Sequence, residues 1–175
     1  MKRALLSLFV LLLIGIPSRQ VLRATQEAAY QGRPVPVTPM RPKDSGACTN
    51  FTTYAGICDQ LRLVVRDRDA WLDVWKRIHS RDPRLGPSPV PPLPEIDFSR
   101  EIVVVAAMGS RPTAGYFISI DGAYERDNLL EVVVRSVETR CGGFTILTAP
   151  LAIVRLPKTE RSVVFREIEV AVPCK

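Results

Sequence analysis

Only one histidine, His79, occurs among the 175 residues, and no Gly-x-Ser-x-Gly turn accompanies it. Ser–His–Asp hydrolysis needs an imidazole beside an exposed nucleophile, so the sequence excludes that chemistry. Cys-x-x-Cys is absent as well, and the spacings of the four cysteines and the single histidine are not those of a zinc site. Glu95 and Asp97 lie near each other, but in a proline-rich approach to a strand, where a solvated state is expected. Cys141-Gly-Gly143 is too short to cradle a phosphate, and Asn50-Phe-Thr52 is a bare glycosylation sequon. The chain is therefore read as a non-enzymatic protein with no catalytic residue, no cofactor and no metal.

No apolar run reaches the ~20 residues that a spanning helix requires. The longest uncharged apolar stretch, residues 4–16, follows the basic start Met1-Lys-Arg3 and ends at Pro17. This is the pattern of an export signal. The nearest small-residue cleavage site is Leu22-Arg-Ala24, with a bulky residue where a small one is preferred, so an uncleaved N-terminal anchor is the alternative. The first cysteine, Cys48, is too far downstream for a lipoprotein signal. Residues 1–24 are expected to be the signal, and the mature protein to be periplasmic or extracellular.

The net charge of +6 depends on that segment. Four of the 24 basic residues (Lys2, Arg3, Arg19, Arg23) and no acidic one fall in residues 1–24, leaving 20 basic against 18 acidic residues, or +2. The remaining arginines are dispersed among acidic neighbours, unlike the basic face of a nucleic-acid binder. Export also makes an oxidising compartment the expectation, and an even number of cysteines then suggests two bridges. Of the three pairings open to Cys48, Cys58, Cys141 and Cys174, sequence proximity favours 48–58 with 141–174.

Residues 25–45 are polar and punctuated by Pro34, Pro36, Pro39 and Pro42, which reads as a disordered or extended linker. Residues 46–175 are expected to form one domain, interrupted by a proline-rich surface loop between Pro83 and Pro94. Leu61, Leu63 and Val65 alternate as in a half-buried strand. Asp67 is placed to cap a helix, and Trp71, Val74, Trp75 and Ile78 form its apolar stripe. His79 ends it, where a cation suits the carbonyl terminus. Residues 102–108 are apolar on both faces and predict a central strand. Strands at 116–121 and 130–135 are expected to flank a hairpin connection at 121–128. A short strand at 152–156 and a long one at 162–172 follow. In the last, the inward set changes from Val163 and Phe165 to Ile168 and Val170, which suggests a bulge. The order predicts an α+β fold: a mostly antiparallel sheet or partly open barrel, one packed helix and two disulfides.

The stretch that stands out is Gly109-Ser-Arg-Pro-Thr-Ala-Gly-Tyr116, a strand-to-strand connection. Pro112 fixes φ, Gly115 admits positive φ, and Thr113 can bond within its own turn. A stiff loop loses little entropy on docking, and a tyrosine is a common anchor. The candidate binding residues are Arg111, Pro112, Thr113, Ala114, Gly115 and Tyr116. The competing structural reading is a tight hairpin with Tyr116 packed at its rim.

Together with the Trp71-x-x-x-Trp75 helix, Asp97-Phe98-Ser99 before an apolar strand, Thr148-Ala-Pro150 and Ile153-Val-Arg-Leu-Pro157, this loop resembles the PrcB C-terminal domain family over roughly residues 60–172. Two positions depart from the family pattern, Ala114 where a glycine is usual and Leu151 where a tyrosine is usual. The resemblance implies an exported accessory protein that binds and stabilises a partner, typically a protease assembly. The loop also resembles the binding loop of chagasin-type cysteine-protease inhibitors. The expected function is thus a binding or scaffolding subunit of an exported protease complex, with a protease inhibitor acting through residues 111–116 as the alternative. The expected partner is another exported protein, with neither nucleic acid nor membrane beyond an N-terminal anchor.

Overall fold

The computed structural model describes residues 32–40, 57–79, 90–139 and 148–173. They belong to one compact unit, Gly32–Lys175. Its elements are β1 (Arg33–Val35), β2 (Thr38–Pro39), β3 (Leu61–Val65), α1 (Arg68–Ile78), β4 (Glu101–Ala107), β5 (Tyr116–Arg126), β6 (Leu129–Thr139), β7 (Leu151–Pro157) and β8 (Ser162–Val172). Two four-stranded sheets result, in the orders β1-β5-β6-β8 and β2-β7-β4-β3. Pairing is antiparallel except between β6 and β8, which run parallel. The fold is mostly β with one short helix, and the sheets remain separate rather than closing into the partly open barrel that was the other expectation. Among the described residues no helix is long and apolar enough to cross a membrane.

Strand β4 explains its own composition. It lies between β7 and β3, and its side chains alternate between two cores. Val103, Val105 and Ala107 face the helix, whereas Ile102, Val104 and Ala106 face the other sheet. A strand buried on both sides has no room for a polar alternation. The layers are therefore helix, β2-β7-β4-β3 sheet, and β1-β5-β6-β8 sheet.

Helix α1 starts where Asp67 accepts a hydrogen bond from the Ala70 amide at 2.8 Å. Trp71, Val74, Trp75 and Ile78 are buried, as their spacing predicts. Both indoles also hold the described end of the proline-rich segment. Trp71 Nε1 donates to the Pro94 carbonyl at 3.2 Å and Trp75 Nε1 to the Pro91 carbonyl at 2.9 Å. Residues 90–97 thus lie across the helix as an anchored strap, with Leu93 and Ile96 packed on its core. His79 occupies the C-cap, its ring edge-on to Trp75 at 4.1 Å between centroids. Burial pushes its pKa below the ordinary value, which favours the neutral ring over the cation expected there.

Several expectations change. Residues 33–35 and 38–39, inside the expected linker, are ordered strands on β5 and β7. Val35 and Val37 pack on the inter-sheet core, so this segment contributes apolar surface that a reading of its polar average overlooked. The hairpin is tighter than 121–128: β5 and β6 run on to Arg126 and Leu129, and Asp127 turns with φ of 51°. Aspartate tolerates that left-handed conformation, so no glycine is needed. The bulge lies in β5 between Ile120 and Gly122 rather than in β8, whose register with β6 is continuous from Ser162 to Val172. The apparent inward switch in β8 has another cause. Ile168 and Val170 stay on the outer face, while Glu167 and Glu169 occupy the inner row beyond Val163 and Phe165.

The expected 48–58 disulfide is not supported: Cys48 lies outside the described residues, and Cys58 is an exposed free thiol. Its backbone rather than its sulfur is structural, because the Cys58 carbonyl accepts from the Ser110 amide at 2.9 Å. Cys48, Cys141 and Cys174 lie outside the described residues.

Candidate functional site

Residues 108–115 carry the chain from β4 in one sheet to β5 in the other. The connection is a crossing between layers, so the tight-hairpin reading does not apply. At one end Gly109, with φ of 76°, sits against the backbone that enters β3: a Cβ there would lie 2.7 Å from the Cys58 carbonyl oxygen. At the other end Gly115, with φ of 121°, leaves no room for a Cβ, which would lie 2.4 Å from Thr139 Oγ1. Only glycine satisfies both conditions. Ala114 has no positive φ, so the family's usual glycine is not needed at that position. Leu151 opens β7 and packs on the helix-side core, where an apolar side chain suffices.

Between its ends the loop is pinned. The amides and carbonyls of Arg111 and Thr148 exchange two hydrogen bonds, of 2.7 and 2.9 Å. Thr148 Oγ1 donates to the Thr113 carbonyl at 3.1 Å. The Thr139 amide and hydroxyl both donate to the Gly115 carbonyl, at 2.8 and 3.1 Å. Thr148 thus fixes the loop, a role that its place in the Thr148-Ala-Pro150 landmark did not reveal. Of residues 111–116 only Pro112 is exposed; the other five are half-buried. The loop is stiff, as its composition predicts, but it forms a wall and does not project as an elbow.

That wall borders a groove of about 580 Å³. Arg111, Pro112 and Tyr116 line one side, and Glu138, Glu167 and Glu169 lie on the strands beside it. The Arg111 guanidinium stands 5.6 Å from the Tyr116 ring centre, within cation–π range. Tyr116 donates its hydroxyl to Glu138 Oε1 at 3.2 Å. Arg111 Nε is buried and has no hydrogen-bond partner among the described residues. On the far side Arg62 of β3 grips Glu167 of β8 through two bonds, of 2.7 and 2.8 Å, and donates to the Leu61 and Ala107 carbonyls. This buttress joins the two sheets at their open edge.

The structure therefore gathers Arg111, Pro112 and Tyr116 at one groove, whereas Thr113, Ala114 and Gly115 shape the loop without lining it. Sequence reasoning missed Arg62, Glu138, Glu167 and Glu169. The signal available was the Arg-Glu-Ile-Glu run at 166–169, with charges at both parities of a strand. Asp97 Oδ1 accepts from the Ser99 amide and hydroxyl, which hold its carboxyl below the usual range and shape the turn into β4. Among the described residues no His, Cys, Asp and Glu side chains cluster as metal ligands do.

The family model described as PrcB C-terminal matches residues 102–157. That span runs from β4 to β7, includes the whole loop and Thr148, and bears out the resemblance there; the Trp71-x-x-x-Trp75 helix and Asp97-Phe98-Ser99 lie outside it. No curated protein and no solved structure matches the chain.

Proposed function

We propose that this chain, whose residues 102–157 belong to the PrcB C-terminal domain family, is a non-enzymatic, exported binding module. Its role is to hold and stabilise a partner protein, a protease assembly being the kind the family resemblance implies. The observation that carries this reading is the Arg111 guanidinium. Its Nε has no hydrogen-bond acceptor among the described residues, and a guanidinium carries five N–H donors, so donors remain for an acceptor on a partner. It lies in a pinned loop beside an aromatic ring, at a groove of about 580 Å³.

The half-buried, pinned loop supports a groove wall over an inhibitory wedge. Arg111→Ala is expected to reduce retention of the native partner from envelope fractions at least about tenfold, a loss of the size that a truncated charged hydrogen bond gives. Arg111→Lys should not restore it, because lysine has no Nε fork. Unchanged retention by Arg111→Ala, at an unchanged unfolding midpoint, contradicts the proposal. Loss of protease activity on adding the pure protein would favour the inhibitor instead.

A further inference from the structure

Strand β8 is an edge. In the sheet order it pairs with β6 on one side and has no strand on the other among the described residues. It runs for 11 residues without proline, glycine or a register shift. Edges of this length are normally short, bent or covered, because their free amides and carbonyls template another strand. Two rows of side chains flank this edge, set by the period of two. The outer row carries Val164, Arg166, Ile168, Val170 and Val172, with Arg166 paired to Glu131 of β6 at 3.9 Å. Alongside it on the same face lie Val137 and Phe117, the latter 59% exposed. The inner row ends in Glu167, Glu169 and Ala171, with Glu138 across from Ala171 on β6.

The charges of the inner row are unequally matched. Glu167 is held by Arg62. Among the described residues Glu138 takes only the Tyr116 hydroxyl, and Glu169 has no ion pair. From this geometry we infer that the β8 edge accepts an extended segment of a partner protein as an added strand, one with basic residues at i and i+2 between apolar neighbours. The first basic residue lies opposite Glu169. The second lies opposite Ala171, whose small side chain lets a lysine or arginine reach across to Glu138. The intervening apolar residues continue the outer row beside Ile168 and Val170. Main-chain bonds supply the pairing and the alternating side chains the selectivity.

The same charges disfavour a second copy of this chain. Antiparallel self-pairing keeps like parities opposite one another. The registers centred on Glu167, Ile168 or Glu169 set carboxylate against carboxylate, in a position where like charges destabilise a pair. The inference rests on the binding role proposed above and names its ligand class.

The test uses the full chain and a synthetic peptide, acetyl-Thr-Val-Lys-Val-Lys-Val-Thr-amide. Controls are its Glu-for-Lys counterpart and a version N-methylated at alternate residues. Binding is read by fluorescence anisotropy, and the docking position by amide hydrogen exchange. The Lys peptide should bind at least about tenfold more tightly than the Glu peptide, weaken with added salt, and slow exchange along β8. Glu169→Lys should reverse the preference without moving the unfolding midpoint. N-methylation should abolish binding while leaving the charge intact. Equal binding of the N-methylated peptide, unchanged exchange at β8, or no preference between Lys and Glu overturns the inference. A dimer that pairs through β8 in the absence of peptide does so too. If the peptides fail while Arg111→Ala still loses the native partner, strand addition falls and the binding role stands. If both fail, neither survives.

Discussion

Trp75→Ala is expected to lower the free energy of unfolding by about 3–5 kcal/mol, the range for emptying a buried aromatic site. Trp75 is only 2% exposed, stacks at a tilt on Trp71 with centroids 5.4 Å apart, and meets His79 on its other side. It also supplies the indole donor that holds the Pro91 carbonyl. Trp75→Phe separates these contributions. It keeps most of the ring and removes the donor, so it should cost about 1–2 kcal/mol. Chemical denaturation of the two variants reads both numbers. If alanine costs less than about 1 kcal/mol, the helix is not packed on the β4 layer as described.

Gly109→Val should cost about 3 kcal/mol or more, a second large effect with a different origin. Left-handed backbone is strained by roughly 1–2 kcal/mol for an L-residue, and more for a β-branched one. In addition, the new Cβ would lie 2.7 Å from a carbonyl oxygen and 2.9 Å from the Asp59 carbonyl carbon. Those atoms are backbone and cannot turn aside. Gly122→Ala is the contrasting case. The atoms nearest its Cβ would be those of the Tyr124 ring and hydroxyl, at 3.0–3.2 Å, which belong to a side chain and not to backbone. A difference of at least about 2 kcal/mol between the two variants is expected. Similar costs for both would mean that the loop is not clamped against the backbone entering β3.

How much of this was legible in the residues depends on whether the signal was local. The helix could be read from its cap and its apolar period because both depend on neighbours within a turn or two. The central position of β4 followed from its unbroken apolar run. The stiffness of the loop followed from Pro112 and its bracketing glycines. The rest depends on what lies across a layer. Composition does not reveal that the strand after the loop joins a different sheet, which turns an apparent hairpin into a crossing. Nor does it reveal that β8 pairs in parallel with β6, which puts Ile168 and Val170 outside and made an unbroken strand look bulged. Residues 33–39 looked like linker because so short a segment has no period of its own, and its order comes from pairing with β5 and β7. Cysteine arithmetic is not supported at Cys58, a free thiol: an even count of cysteines does not by itself place two sulfurs together.

The site was half-readable. Arg111, Pro112 and Tyr116 were identifiable as a group because they are contiguous. Glu138, Glu167, Glu169 and Arg62 come from three separate strands, and only the folded sheets bring them to the same groove.

The central claim is that this groove holds the partner. It is tested most directly by site-specific photo-crosslinking in native envelope material, with the reactive group placed at exposed Pro112 and, as a control, at Lys158 next to β7. The account predicts a discrete adduct with one exported protein from position 112, lost in Arg111→Ala and missing from position 158. An adduct from 158 but not 112, or one that persists undiminished in Arg111→Ala, would contradict it.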